Sequence, residues 1–234
     1  MSEPIKVDIW SDIACPWCYV GKRRFESGLA QFEHRDEVDV VWHSFLLDPN
    51  APADHGEPQD VLLARKYGCS LEEARAMGAR LTGEAAKEGL NFRFDILRVG
   101  STVDAHRLLH LAETKGLGKV AMERLMKAYL EEGVLMSDHE ALVRLATEIG
   151  ISECETRHML GGDEYLADVQ ADLDRARGLG ITGVPFFVLD GKYGVSGAQP
   201  AEAFRSVLDE VWAKSQPLQM VGAGEVCGPD GCPI

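Results

Sequence analysis

The sequence predicts an α/β fold in which a small sheet is interrupted by a large all-helical insertion. Three observations support this prediction. The chain begins with a strand–helix–strand pattern over residues 5–46, shows only helical signals from about 59 to 179, and returns to two strands and a helix over 186–215. The two outer parts would close into one sheet with helices on its faces.

The first part of the sheet is predicted from residues 5–10, whose alternating side chains indicate a strand. A helix over 16–33 follows, and residues 38–46 form the second strand. The apolar stripe of the helix consists of Val20, Phe25, Leu29 and Phe32. A strand–helix–strand order favours parallel strands joined by a right-handed crossover.

The helices of the insertion are predicted from their start and stop signals. They lie at about 59–67, 71–88, 102–115, 118–132, 138–149, 153–160 and 163–177. Capping-box patterns beginning at Ser70, Ser137 and Ser152 mark three of the starts. Glycines stand where helices should end, because glycine tolerates the left-handed conformation that ends many helices. These are Gly68, Gly89, Gly116, Gly133, Gly150 and Gly161.

The returning part of the chain predicts a hairpin and a last helix. Phe186–Leu189 is a short apolar run, Asp190-Gly191 is a hairpin turn signal, and residues 192–196 form the return strand. A helix over 200–215 follows. We therefore expect a sheet domain from residues 1–56 and 180–215, a helical insertion domain at 57–179, and a flexible tail at 216–234.

Composition narrows the classes of partner. The 234 residues carry a formal net charge of −14, which argues against nucleic acid or an anionic membrane surface as the main partner. No apolar run is long enough to span a bilayer. The start of the chain, Met1–Lys6, has no features of a signal peptide, and this predicts a cytoplasmic location. The oligomeric state is left open.

The motif Cys15-Pro16-Trp17-Cys18 follows the first predicted strand and begins the first helix. Pro16 suits the first helical turn because no partner is needed there for its missing N–H. Cys15 would lie at the positive end of the helix dipole, which favours its thiolate. Cys18 lies about one turn further on. The pair is suited to thiol–disulfide exchange, with Cys15 as the attacking and Cys18 as the resolving sulfur.

The alternative interpretation of this motif is half of a zinc site or a pair of buried thiols. A structural zinc normally needs a second ligand pair in a short, closed module, whereas this motif lies at a strand–helix junction. His106 and His110 are four residues apart on one predicted helix, but no third ligand is evident. We therefore predict a redox role and no metal site.

A second functional stretch, Gly180–Pro185, precedes the returning strand. A proline there cannot donate to a sheet ladder, so it predicts either a plain turn or a cis Val184–Pro185 bond. The position of the Cys15 motif in the predicted topology favours the cis bond. The backbone of Val184 would then be free to pair with an extended substrate chain beside Cys15.

Taken together, these stretches make the chain resemble the DsbA-like thioredoxin-fold oxidoreductases, and within them the cytoplasmic FrnE-like branch. The resemblance is carried by Asp12–Gly21, Asp104–Leu108, Gly183–Val188 and Tyr193–Pro200. It implies a thioredoxin fold with a helical insertion, Cys15 as nucleophile and Cys18 as resolving cysteine. It also implies substrate contacts from Pro16, Trp17, Val184, Pro185 and His106.

The resemblance extends to the predicted tail. Cys227 and Cys232 match the C-terminal CxxxxC of some FrnE-like proteins, and an extended tail is long enough to reach Cys15. We therefore expect this second pair to exchange with Cys15 and Cys18. A solvent-exposed dithiol without a role, or a weak metal clip, is the alternative.

The activity implied is a thiol–disulfide oxidoreductase or isomerase that acts on protein or peptide substrates and is linked to oxidative-stress defence. No cofactor is expected beyond glutathione or a thioredoxin-type reductant. Trp17 stands where strongly oxidising periplasmic relatives have a histidine, so we expect a less oxidising potential. Two alternatives remain. One is a glutathione-dependent enzyme such as 2-hydroxychromene-2-carboxylate isomerase or a kappa-class glutathione transferase, in which a lone serine typically replaces Cys15; the other is a metal-binding or chaperone-like protein.

Overall fold

The computed structural model of the chain describes residues 4–215. Its strands form one sheet in the order β2-β1-β3-β4, from β1 (Ile5–Ser11), β2 (Val38–Ser44), β3 (Phe186–Leu189) and β4 (Tyr193–Ser196). β1 and β2 are parallel, while β3 is antiparallel to both β1 and β4. The predicted closure of the two outer parts into a single sheet is confirmed.

The helices follow the predicted ones within a few residues at each end. They are α1 (Pro16–Ala30), α2 (Gln59–Tyr67), α3 (Leu71–Lys87), α4 (Val103–Glu113), α5 (Gly118–Leu130), α6 (His139–Glu148), α7 (Glu153–Gly161), α8 (Leu166–Gly178) and α9 (Ala201–Ser215). A short 3₁₀ turn, Arg35–Glu37, precedes β2. No described helix is long and apolar enough to cross a membrane.

The predicted helix signals were partly correct. Ser70 caps α3 in a complete capping box with Glu73, as expected. The box expected at Ser137 is wrong: Asp138 caps α6 and accepts from the N–H of Ala141, while the Ser137 hydroxyl donates to the carbonyl of Ala53 at 2.5 Å. Ser152 precedes α7 without a side-chain capping bond.

Successive side chains of β1 point to opposite faces of the sheet. Val7 and Ile9 join the main core, which includes Phe187 and Phe204. Trp10 packs on the other face with Ala176 of α8 and stacks on His43 at 4.5 Å between ring centroids. The sheet therefore lies between α1 and α9 on one side and α8 on the other.

The main core extends without interruption from the sheet into the helical part. Ile9 and Phe187 belong to the same buried cluster as Leu108 of α4, Met122 of α5 and Leu142 of α6. In contrast, α2 has no buried residue, and α3 buries only Ala74 and Ala85. The α2–α3 pair is thus the most weakly packed part of the helical segment, and the division into two domains stays a prediction.

Candidate active site

Cys15 lies at the junction of β1 and α1, where the sequence predicted it. It is the N-cap residue of α1, its backbone is extended (φ −88°, ψ 111°), and Pro16 occupies the first turn. The N–H of Cys15 donates to the carbonyl of Asp12, and the N–H of Cys18 donates to the carbonyl of Cys15, both at 3.0 Å. Both cysteines are free thiols. The local geometry places the Cys15 sulfur beside the unpaired N–H groups that begin a helix.

Both thiols are largely buried, but only one of them borders the cleft. Cys15 is 5% exposed and lines a large cleft, whereas Cys18 is 1% exposed and does not line the cleft. Burial raises the pKa of the Cys18 thiol well above its usual range, and the neighbouring Cys15 raises it further, against the opposing effect of the Ser11 hydroxyl. Cys18 is therefore kept protonated, and Cys15 is the thiol of the pair that borders the cleft.

The Val184–Pro185 loop faces Cys15, as the sequence predicted, and its peptide bond is cis. The Cys15 thiol donates to the carbonyl of Val184 across 3.7 Å. The carbonyl of Pro185 accepts from the N–H of Gly197 at 2.9 Å, which ties the loop to the end of β4. Gly21 of α1 has no Cβ, and a Cβ there would lie 2.8 Å from Cγ of Pro185. This glycine lets α1 and the loop approach closely.

Asp12 is buried directly before the motif and holds several segments together. Its carboxylate accepts from the N–H of Ala14 at 3.1 Å, the N–H of Leu47 at 2.8 Å and the hydroxyl of Thr102 at 3.0 Å. Burial alone would raise the pKa of Asp12, but His106 and these N–H groups outweigh it and lower the pKa. A buried carboxylate thus supports the floor of the cleft beside Cys15.

The expectation that His106 contacts substrate is wrong. Its ring is fully buried and does not line the cleft; Nε2 lies 3.4 Å from Asp12 Oδ1. The Asp104–Leu108 segment places the ring behind Asp12, so His106 acts on the cleft only through that carboxylate. The sequence could not show whether His106 lines the cleft or lies behind Asp12, because in either case the residue is on the buried side of α4.

The second histidine of the spaced pair has a different environment. Nε2 of His110 lies 3.2 Å from Oδ2 of Asp172 and 3.1 Å from the Ser44 hydroxyl, on the α8 side of the sheet. Within residues 4–215, no group of three or more His, Cys, Asp or Glu side chains is arranged to hold a metal ion. The two histidines are therefore bound separately, each to its own aspartate.

The cleft beside Cys15 has a volume of about 980 Å³. Its walls come from the motif itself, the segment after β2, α2, α3 and the loop before α4. Pro16 and Trp17 lie in this lining, and Trp17 is 42% exposed; Val184 and Pro185 approach Cys15 from outside the lining. The contributions of α2 and α3 were not predicted from the sequence, and they include Met77, which is 37% exposed in the cleft.

A sheet of this order, with a CxxC motif at the start of α1 opposite a cis-proline loop, defines a thioredoxin-fold protein with a dithiol site. The model of the DsbA-like thioredoxin domain family matches residues 6–209. The chain therefore belongs to the DsbA-like thioredoxin domain family, and this membership supports a redox enzyme activity.

Solved structures agree with this assignment. A probable DsbA oxidoreductase from Streptomyces coelicolor is 47% identical, with a TM-score of 0.88, and the match covers 98% of this chain and 99% of that one. The cytosolic disulfide reductase DsbM from Pseudomonas aeruginosa, solved with glutathione, is 18% identical (TM-score 0.63; 89% and 99% covered). A 2-hydroxychromene-2-carboxylate isomerase is 14% identical (TM-score 0.64; 89% and 97% covered). The last two show similarity of fold alone.

Proposed function

We propose that this protein is a cytoplasmic thiol–disulfide oxidoreductase of the FrnE-like branch that acts on disulfides of polypeptides through Cys15 and Cys18. The observation that carries the proposal is the asymmetry of the two sulfurs. Cys15 opens on a large cleft at the start of α1, while Cys18 lies behind it, buried and protonated. An accessible attacking sulfur and a shielded resolving sulfur are what a two-step exchange needs.

The proposed exchange is balanced in two steps. The Cys15 thiolate attacks one sulfur of the substrate disulfide, a Cys15–substrate bond forms, and the other substrate sulfur leaves as a thiolate that takes up a proton. Cys18 then loses its proton and attacks Cys15, which releases the second substrate thiol. The substrate gains two electrons and the enzyme is left with a Cys15–Cys18 disulfide. A thiol reductant such as glutathione or a thioredoxin-type protein returns it to the dithiol.

Contacts to the substrate chain are assigned to residues around Cys15. The carbonyl of Val184 accepts from the Cys15 thiol in the free protein, and it becomes available to a backbone N–H of the substrate once Cys15 is ionised. Pro185 holds this carbonyl in place, while Pro16 and the exposed Trp17 border the cleft. This arrangement suits an extended polypeptide presented to Cys15.

The direction of exchange is proposed from Trp17. An indole cannot supply the positive charge that would stabilise the reduced form, so the potential is expected to favour reduction or isomerisation over strong oxidation. Equilibration with glutathione measures this potential. A value as oxidising as those of periplasmic oxidants of about −120 mV would contradict this proposal.

The C-terminal pair is a further part of the proposal. Cys227 and Cys232 lie outside the described residues, and their exchange with Cys15 and Cys18, in defence against oxidative stress, rests on the sequence. Cys18→Ser should trap a mixed disulfide that peptide mapping assigns to Cys15 and Cys227 or Cys232. Adducts that never contain a tail cysteine would count against a relay.

The proposed activity is tested by insulin reduction and by refolding of scrambled ribonuclease. Cys15→Ser should abolish both activities, and Cys18→Ser should leave a slow reaction that accumulates mixed disulfide. Cys154→Ser is the matched control, because Cys154 is an exposed thiol at the start of α7. Equal activity of the wild type and Cys15→Ser would refute the proposal. Isomerisation of 2-hydroxychromene-2-carboxylate with glutathione, without insulin reduction, would instead favour the small-molecule alternative.

A further inference from the structure

We propose that the cleft beside Cys15 is a specificity site for polypeptide substrates that carry an apolar side chain and an acidic residue next to the reacting cysteine. The apolar side chain would pack on the wall formed by α2 and α3, and the carboxylate would pair with Lys66 and Arg80. This inference rests on the proposed function and names the substrate class of the same site.

The first argument is the concentration of exposed apolar side chains in the cleft. Trp17, Leu47, Tyr67 and Met77 are large apolar residues with exposed fractions of 42%, 45%, 60% and 37%, and all of them line the cleft. Exposed apolar side chains that gather at one concave surface mark a binding site more strongly than scattered ones. The cleft therefore offers an apolar surface that the described chain does not cover.

The second argument is electrostatic. Lys66 of α2 and Arg80 of α3 line the cleft, and within residues 4–215 neither has a carboxylate within ion-pair distance. Arg65 also lines the cleft, but Glu57 binds it through two contacts of 2.9 Å. The lining also includes two carboxylates: Asp12 is buried and accepts from backbone N–H groups, and Asp48 accepts from the N–H of Asn50. Neither lies on α2 or α3, so the unpaired charges on the wall formed by these helices are both positive and favour an acidic ligand there.

The third argument concerns the volume of the cleft and the weak packing of α2, which forms part of its wall. A volume of about 980 Å³ is at the upper end of the range of small-ligand pockets, roughly 300–1,000 Å³, and suits several side chains of a peptide. On its other side α2 borders a second cavity of about 570 Å³, lined by Val61, Ala74 and Phe92. Because α2 has no buried residue, it can shift toward this cavity and accommodate side chains of different size.

The test uses three matched peptides whose single cysteine is joined to 2-thiopyridine as a mixed disulfide. The residues next to the cysteine are Leu-Glu, Leu-Lys or Ser-Glu. Attack by Cys15 on the peptide sulfur releases thiopyridone, so single-turnover absorbance gives a half-saturating concentration and a limiting rate. For the wild type, the half-saturating concentration should be about fivefold lower for Leu-Glu than for Leu-Lys, and about tenfold lower than for Ser-Glu.

Charge reversal at residues inside and outside the cleft distinguishes a local effect of the cleft charges from an effect of the protein's overall charge. Lys66→Glu with Arg80→Glu should reverse the preference between Leu-Glu and Leu-Lys, while Lys192→Glu, an exposed cation in the β3–β4 turn, should preserve it. The rate with 2,2′-dipyridyl disulfide, which carries no peptide, is measured for every variant as the reference for the reactivity of Cys15, and Lys192→Glu should leave it unchanged. Equal half-saturation for the three peptides, or an equal effect of Lys192→Glu, would overturn the inference.

The apolar wall has its own control. Met77→Ser should raise the half-saturating concentration of the leucine peptides and leave Ser-Glu unchanged, whereas Val120→Ser, at an exposed apolar position of α5 outside the cleft, should change none. If Lys66→Glu with Arg80→Glu changes the half-saturating concentration of glutathione disulfide but of none of the peptides, the site takes a small thiol and the inference is wrong. If the wild type reacts no faster than Cys15→Ser, the proposed function itself fails.

Discussion

At the scale of the residue, Asp12 shows how a single buried carboxylate can organise the cleft that it lines. Its oxygens accept hydrogen bonds from the motif loop, from the segment after β2 and from Thr102, and His106 lies against it. These segments are distant in sequence and form adjoining walls of the cleft. The carboxylate therefore fixes their relative positions beside Cys15.

The first prediction concerns this carboxylate. Asp12→Asn should lower the free energy of unfolding by about 3 kcal/mol, because the amide introduces donors where N–H groups already point. Thr102→Val removes one hydrogen bond and should cost about 1 kcal/mol. Urea unfolding followed by circular dichroism measures both. Equal losses for the two variants would show that Asp12 is not the organising group.

At the scale of the element, two glycines allow the backbone of α1 to lie close to neighbouring segments, because they have no Cβ. A Cβ at Gly21 would lie 2.8 Å from Cγ of Pro185, and a Cβ at Gly28 would lie 2.5 Å from the carbonyl oxygen of Ala201 in α9. One glycine thus sets the distance between α1 and the loop facing Cys15, and the other sets the packing of α1 on α9. The first half of α1 therefore contacts the loop that faces Cys15, and its second half contacts α9.

The second prediction uses these glycines as a matched pair. Gly21→Ala should reduce the rate of insulin reduction about tenfold, because the loop moves away from Cys15 and misaligns substrate. Gly28→Ala should lower the free energy of unfolding by about 2 kcal/mol, since α9 must move, and it should change the rate at 25 °C little. Activity and urea unfolding of both variants check this. The reverse pattern would contradict the assignment.

The third prediction concerns the contact between α1 and α5. Burial alone would raise the pKa of Glu123, but hydrogen bonds from Lys22, Tyr19 and Arg23 outweigh it and lower the pKa to about 2. The group therefore stabilises the fold fully above its unfolded pKa of about 4.5, and this stabilisation is lost as pH falls toward 2.

Glu123→Gln should accordingly lose about 1–2 kcal/mol of stability at pH 6, after allowance for solvent screening, and the difference from the wild type should shrink between pH 4.5 and 2. Urea unfolding at a series of pH values measures this difference. Glu210→Gln, which removes an exposed carboxylate of α9 paired with Lys214, is the control and should cost less than about 1 kcal/mol at pH 6. A constant gap for Glu123→Gln down to pH 2 would refute the linkage.

At the scale of the whole molecule, a buried charged cluster joins the sheet to the helical segment. His43 Nδ1 lies 2.6 Å from Asp172 of α8, and its Nε2 lies 2.7 Å from Asp8 of β1. Arg175 also contacts Asp8 at 3.2 Å. The ring can donate to both carboxylates only as the imidazolium, so it bridges β1, β2 and α8.

The fourth prediction tests this bridge. His43→Leu should lower the free energy of unfolding by about 3–5 kcal/mol, because Asp8 and Asp172 lose the ring that binds them both, and Arg175 and His110 compensate their charges only in part. Adding Asp172→Asn should recover part of the loss, whereas His34→Leu, at a ring stacked on Trp212, should cost less than about 1 kcal/mol. A double-mutant cycle by urea unfolding measures the coupling. Strict additivity of His43→Leu and Asp172→Asn would contradict the bridge.

The elements, their order, the Cys15–Cys18 motif and the proline loop were all predictable from the amino-acid sequence. These features follow from local chemistry: periodicity, capping residues such as Ser70, and turn residues such as Asp190 and Gly191, both of which adopt positive φ. Each is specified by residues a few positions apart, so a single chain is enough to predict them.

Which side chains share the cleft follows from the packing of the folded chain and could not be predicted from the sequence. His106 is buried behind Asp12, Met77 is exposed, and Lys66 and Arg80 line the same cleft as Cys15. These outcomes depend on how helices pack across long separations in sequence, and an amphipathic pattern indicates an inner face without naming what that face meets. The position of Cys15 at the start of α1 is therefore predictable from residues adjacent in sequence, whereas the lining of the cleft depends on residues that become adjacent only in the folded chain.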